Sequence, residues 1–126
     1  MKTILIVEDD TGIRESLKDI LELSGYAVLT TTNGKEGLDE VMKANPDLVL
    51  CDVNMPELNG YEMLDALSDR LPLYLMPVFI FLTAKVEDHE IRKAFDLGAD
   101  DYITKPFDHK ELLQIIENKL KGKETQ

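Results

Sequence analysis

The stretch Leu48-Val49-Leu50-Cys51-Asp52-Val53-Asn54-Met55-Pro56 places four consecutive apolar residues in front of a carboxylate, with a proline closing the segment. A strand without a polar face needs cover on both sides, which is the habit of buried parallel strands and not of half-solvated antiparallel ones. Working outward from this run at 48–51, similar short strands are expected at 3–7, 27–31, 78–82 and 101–104. Between and after them, apolar residues recur every three or four positions, as on helices that cover a sheet. The first helix carries Ile13, Leu17, Ile20 and Leu21, starts near Asp10 and Thr11, and stops at Gly25. The second carries Leu38, Val41 and Met42, with Asn33 and Glu36 spaced like a capping box and Asn45-Pro46 ending it. The third follows Gly60 with Leu64, Leu67 and Leu71, and Pro72 and Pro77 bracket the connection after it. The fourth uses Ile91, Ala94 and Phe95 up to Gly98, and the fifth opens at Asp108 and Glu111 and uses Leu112, Leu113, Ile116 and Leu120. Five βα pairs in succession predict a single three-layer α/β domain with right-handed crossovers.

The chain's 126 residues suit one domain and one core of this kind. Fourteen basic residues against 25 acidic ones leave a net charge of −11, which would repel a phosphate backbone, so no direct nucleic-acid partner is expected. Cys51 is the sole cysteine, which excludes an internal disulfide and suits a reducing compartment. The first apolar run is too short for a signal-peptide core or a membrane span, so a cytoplasmic location and no membrane partner are expected. Residues 1–121 form the expected domain, with a frayed tail over 122–126 that contains no apolar residue.

In open α/β sheets ligands collect beyond the carboxyl ends of the strands. Glu8-Asp9-Asp10 follow the first strand, Asp52 the third, Thr83 the fourth and Lys105-Pro106 the fifth. Each alone reads as a polar turn; together they place carboxylates, a hydroxyl and an ammonium along one edge. Carboxylates 4 to 5 Å apart repel by ~3 to 4 kcal/mol per pair at an effective dielectric of about 20, so a cation is required. Oxygen ligands favour Mg²⁺ over zinc, since His89 and His109 have no neighbouring ligand at metal spacing and Cys51 sits inside a strand. Mg²⁺ in turn suggests phosphate chemistry. Asp52, alone at the end of its apolar strand, has the placement of a nucleophile toward phosphorus, with Lys105 and Thr83 able to meet phosphoryl oxygens. Three carboxylates, one ammonium and one divalent ion sum to zero. Phosphorylating Asp52 then leaves about one negative charge for hydroxyl and N–H donors to stabilise.

At these residues the chain resembles the receiver domain of two-component response regulators. The matching motifs are Ile4-Leu5-Ile6-Val7-Glu8-Asp9-Asp10, then 48–56 with Gly60, then Phe81-Leu82-Thr83-Ala84, then Gly98-Ala99-Asp100-Asp101-Tyr102-Ile103-Thr104-Lys105-Pro106-Phe107, in the family's order along nearly the whole chain. The resemblance implies a flavodoxin-like, doubly wound (βα)5 domain whose parallel sheet has the order 2-1-3-4-5. It implies Asp52 as phosphoacceptor, with Mg²⁺ held by Glu8, Asp9, Asp52 and the backbone carbonyl of Asn54. It also implies Thr83 as switch hydroxyl, Lys105 as phosphate-pairing lysine, Tyr102 as the aromatic that reorients with Thr83, and a cis Lys105-Pro106 bond. Asp10 takes a capping or supporting role. The implied partners are a sensor histidine kinase or histidine phosphotransfer protein upstream, and downstream a protein target or an output domain that this chain lacks. The domain would relay a signal, through its helix 4, strand 5 and helix 5 face, and would not turn over a substrate.

Plainer readings stand beside these. Cys51 is expected to be a buried apolar residue and not a redox sensor, His89 and His109 solvated surface residues, and Lys119, Lys121 and Lys123 favourable charges at a helix C-terminus. A Mg²⁺-dependent phosphohydrolase with an aspartate nucleophile is the main rival, although Asp52-Val53-Asn54 lacks the second carboxylate such enzymes use as acid and base. A flavodoxin-like cofactor binder is a third class; Glu8-Asp9-Asp10 would repel its phosphate.

Overall fold

Strand residues that alternate between two apolar faces meet two different helical layers. In the computed structural model, which describes residues 1–84 and 87–124, β1 (Thr3–Val7), β2 (Ala27–Thr31), β3 (Leu48–Asp52), β4 (Val78–Thr83) and β5 (Asp101–Thr104) form one sheet of order β2-β1-β3-β4-β5. Every pairing is parallel. The helices are α1 (Thr11–Leu23), α2 (Gly34–Ala44), α3 (Gly60–Arg70), α4 (Asp88–Asp96) and α5 (His109–Glu124). Leu5, Val7, Val49, Phe79 and Phe81 face one side, packing with residues of α2, α3 and α4. Ile4, Ile6, Leu50, Ile80 and Leu82 face the other, against Leu17 and Leu21 of α1 and Leu112 and Ile116 of α5. Each such fully buried side chain stabilises the fold by ~1.5 to 3 kcal/mol, so the doubly apolar strands dictate the three layers.

The helix ends follow the short oxygen side chains. Asp10 caps α1 by accepting from the Ile13 amide at 2.9 Å. Asn33 likewise caps α2, but Glu36 turns to the Thr32 hydroxyl at 3.0 Å instead of closing a capping box. The reciprocal box sits at α3, where Asn59 and Glu62 each accept from the other's amide. Gly25 and Gly98, just past α1 and α4, have φ of 96° and 105°, a region that only glycine enters without strain.

Several boundaries and exposures differ from the sequence expectation. β3 and β4 run one residue further and take in Asp52 and Thr83, because the parallel ladder continues through Asp52 opposite Leu82 and Thr83 opposite Thr104. The segment between Pro72 and Pro77 is a 3-10 turn over Leu73–Leu75 that leaves Leu73 and Tyr74 almost fully exposed. Phe95, expected on the buried stripe of α4, is 46% exposed, since this short helix tucks only Ala94 fully inside. Helix α5 continues past Gly122 into the stretch expected to fray; residues 125 and 126 lie outside the described ones. Among the described residues, no helix is long and apolar enough to cross a membrane.

Candidate functional site

The carboxyl ends of β1, β3, β4 and β5 bring the expected residues to one edge. Glu8 directly follows β1 and is 1% exposed; Asp52, the last residue of β3, is 8% exposed. Asp9 beside them is open to solvent. One carboxylate oxygen from each of Glu8, Asp9 and Asp52 lies within 4.8 Å of the others. Among the described residues, the ammonium answering them is that of Lys105, whose Nζ is 2.6 Å from Glu8 Oε1 and 3.6 Å from Asp52 Oδ2. Its amide donates to the Thr83 carbonyl at 2.8 Å, tying the loop after β5 to the end of β4. The Lys105-Pro106 peptide bond is cis.

Among the described residues, this cluster sets three carboxylates against the Lys105 ammonium. Burial pushes the Glu8 carboxyl up to about 7, with the charge of Asp52 adding to the rise and the bond from Lys105 opposing it. Burial would lower Lys105, but its bond to Glu8 and the charge of Asp52 outweigh that and raise it. Burial likewise drives the Cys51 thiol well above its usual range, with Asp52 and Glu8 adding to the effect, so the thiol stays protonated and inert. An edge of three converging carboxylates and one ammonium, made only of oxygen ligands, has the charge and chemistry to hold a hard cation.

Neighbouring backbone keeps these groups in place. Gly60 donates its amide to the Val53 carbonyl at 2.9 Å, and a Cβ there would lie 2.5 Å from the Asp52 carbonyl oxygen, so only glycine lets α3 begin this close to the end of β3. Asn54 is exposed in the following loop. Arg14, one turn into α1, donates from Nη1 to the carbonyls of Glu8 at 2.9 Å and Asp9 at 3.3 Å and pins the acidic pair from behind. Asp10 adds its amide to Glu8 Oε2 at 3.2 Å, beside its capping role.

Thr83 is fully buried at the end of β4, where it pairs with Thr104 of β5 across the parallel ladder. Tyr102 is half-buried, its ring edge-on to Phe81 at 6.5 Å between centroids. Two further residues join this group without any sequence motif to announce them. Tyr61, the second residue of α3, donates to Glu90 of α4 at 2.7 Å. Their positions, 29 residues apart, become neighbours only because α3 and α4 cover the same sheet face. Of the histidines, His89 sits 3.3 Å from Glu87 on the surface, and His109 begins α5 in an exposed position.

Comparison with known proteins agrees with this geometry. A family model described as the response regulator receiver domain matches residues 4–117. The response regulator SaeR of Staphylococcus epidermidis is 40% identical over 120 residues, which cover 95% of this chain and 51% of that protein. The chain thus spans about half the length of the curated relatives it matches. Among solved structures, a CheY-like receiver domain protein from Methanospirillum hungatei superposes with a TM-score of 0.91 at 34% identity, over 99% of this chain and 98% of that one. The chemotaxis protein CheY4 of Vibrio cholerae gives 0.86 at 30% identity, over 94% and 98%.

Proposed function

The chain belongs to the response regulator receiver domain family, and from that premise we propose that Asp52 accepts a phosphoryl group from a phosphohistidine on a histidine kinase or phosphotransfer protein. The observation that carries this reading is the convergence of Glu8, Asp9 and Asp52 within 4.8 Å, with Lys105 in reach of two of them. A carboxylate oxygen of Asp52 forms the new bond to phosphorus while the phosphorus–nitrogen bond breaks, and the leaving imidazole keeps that electron pair. Lys105 turns its ammonium to a phosphoryl oxygen, and Thr83 donates its hydroxyl to another. Glu8, Asp9, Asp52 and the Asn54 carbonyl would hold Mg²⁺, which when bound supplies the positive charge the phosphoryl oxygens need. Arg14 and Gly60 keep the acidic pair and the Asp52 backbone from drifting.

In this reading the domain relays a signal and releases no product in turnover. Tyr102 follows Thr83, and the surface made by α4, β5 and α5 changes its affinity for a downstream protein or output domain. Residues 1–121 act as the phosphoacceptor unit, with 122–126 beyond it, in the cytoplasm where such donors reside. Asp52-Val53-Asn54, with no second carboxylate two residues on, weighs against the phosphohydrolase alternative.

The test is intact mass after incubation with a small acyl-phosphate donor, with and without Mg²⁺, for the wild type and Asp52→Asn. One phosphoryl gained only by the wild type with Mg²⁺ supports the reading. Retained uptake in Asp52→Asn would remove Asp52 as acceptor, and steady release of phosphate from phosphomonoesters beyond one equivalent would revive the phosphohydrolase.

A further inference from the structure

A non-glycine residue held at positive φ persists only where its surroundings force it. Glu57, in the loop between β3 and α3, has a φ of 68°, and the Leu58 amide donates back across it to the Pro56 carbonyl at 2.9 Å. This is a three-residue γ-turn of the strained hand. It belongs to the loop that carries Asn54, which the Gly60 amide closes by donating to the Val53 carbonyl at 2.9 Å. Met55 and Leu58 of the same loop pack against the core with their side chains partly buried.

The turn rests on the first turn of α2. The leading amides of a helix have no partner within it. That of Gly34, the first residue of α2, donates to the Leu58 carbonyl at 3.2 Å. A Cβ on Gly34 would overlap the Leu58 carbonyl oxygen and lie 2.9 Å from the Leu58 carbonyl carbon, backbone atoms that cannot swing aside as a flexible side chain would. Gly34 is helical, so space alone requires glycine here. Three residues earlier, the Thr31 carbonyl accepts from the Glu8 amide at 3.1 Å. The segment 31–34 therefore abuts both loops that build the acidic edge, the one that carries Glu8 and Asp9 and the one that follows Asp52.

We propose that Gly34 is a positioning residue for the cation site. Its missing side chain lets the 56–58 turn seat on α2, and that seat sets the loop where the Asn54 carbonyl meets an ion held by Glu8, Asp9 and Asp52. The inference rests on the phosphoacceptor reading and deepens it, placing a determinant of Mg²⁺ affinity in a residue with no side chain to offer the ion. An alanine must push the turn outward and carry the loop with it.

Gly37, about one turn further along α2, supplies the control. A Cβ there would meet Met63 and Val7 at 3.0 Å, which are core side chains and not loop backbone. Mg²⁺ is titrated by calorimetry into metal-free wild type, Gly34→Ala and Gly37→Ala, with urea unfolding without metal and intact mass after an acyl-phosphate donor in parallel. Gly34→Ala should bind Mg²⁺ about tenfold more weakly, the usual cost of losing support behind a metal ligand. Gly37→Ala should bind as wild type does, whatever stability it loses. At saturating Mg²⁺, Gly34→Ala should still gain one phosphoryl. In wild type, Mg²⁺ should slow exchange of the Gly34 amide severalfold, because the bond to Leu58 and the ion favour each other reciprocally. That arm decides by itself if Gly34→Ala does not fold. Wild-type affinity in Gly34→Ala would overturn the proposal. Equal weakening in both alanine variants would do so too, since a general loss of stability acts that way, as would a Gly34 amide indifferent to Mg²⁺. Wild type that neither binds Mg²⁺ nor gains mass would instead overturn the phosphoacceptor reading, and the role of Gly34 with it.

Discussion

The two ends of the sheet use the same residue type for opposite purposes. At the amino ends of the strands, Asp47 accepts from the Thr3 amide at 2.8 Å and Asp100 from the Phe79 amide at 2.8 Å, so each carboxylate joins two strands through a backbone donor of its own. At the carboxyl ends, Glu8, Asp9 and Asp52 turn toward one another, and Lys105 pairs with Glu8 and Asp52. The first arrangement is satisfied and stabilising. The second carries electrostatic strain that a ligand of opposite charge relieves, and a buried carboxyl with a displaced pKa, as at Glu8, marks a working site. An acidic residue's neighbours, more than its identity, separate structural from functional carboxylates in this fold.

The contrast can be broken by experiment. The largest effect should come from Asp52→Asn, which should abolish phosphoryl uptake, whereas Asp47→Ala and Asp100→Ala should leave uptake intact when read by intact mass. Stability should move the other way: each of the two alanine variants should lose about 1.5 to 3 kcal/mol in urea unfolding, the worth of a charge-assisted bond to a backbone donor. Asp52→Asn, measured without metal, should gain about 1 kcal/mol, because two repelling neighbours outweigh the attraction of Lys105. A loss there, or no change at the amino ends, would remove the distinction.

The pH dependence sharpens it further. Glu8 has its pKa raised from 4.5 to about 7 by burial foremost, so the folded state holds its proton more tightly than the unfolded chain does. In metal-free protein this contribution is intact below pH 4.5 and is lost as pH rises toward about 7. Unfolding followed across that window should show stability falling with pH, and Mg²⁺ should flatten the slope by favouring the charged carboxylate. The smallest effect concerns Cys51: its buried, protonated thiol should react with a thiol reagent only as fast as the protein unfolds. Rapid labelling of the folded protein would contradict the burial.

Much of this was legible in one dimension. Runs such as Leu48-Val49-Leu50-Cys51 require two-sided cover, and the residues after each strand foreshadowed the acidic edge, because parallel strands all send their carboxyl ends to the same side. Glu8, Asp9, Asp52 and Lys105 were found for that reason and do meet in space. Arg14 was not found, since an arginine one turn into a helix looks like any solvated residue until its guanidinium reaches back to the Glu8 carbonyl. The placement of Phe95 failed for a related cause: periodicity names a stripe, but the length of the helix and its distance from the sheet decide how much of the stripe is covered.

Amino-acid order alone therefore determined the α/β class, the single domain, the polar edge and the family's motifs, because these follow from local periodicity and from where each strand ends. Only the tertiary structure decided that Glu8 would be buried deeply enough to raise its pKa, that Lys105 would bridge it to Asp52, and that Tyr61 of α3 would reach Glu90 of α4. Those outcomes depend on distances between residues remote in the chain. Charge and hydrogen bonding act across space, so burial and separation, which no linear pattern encodes, set their strength.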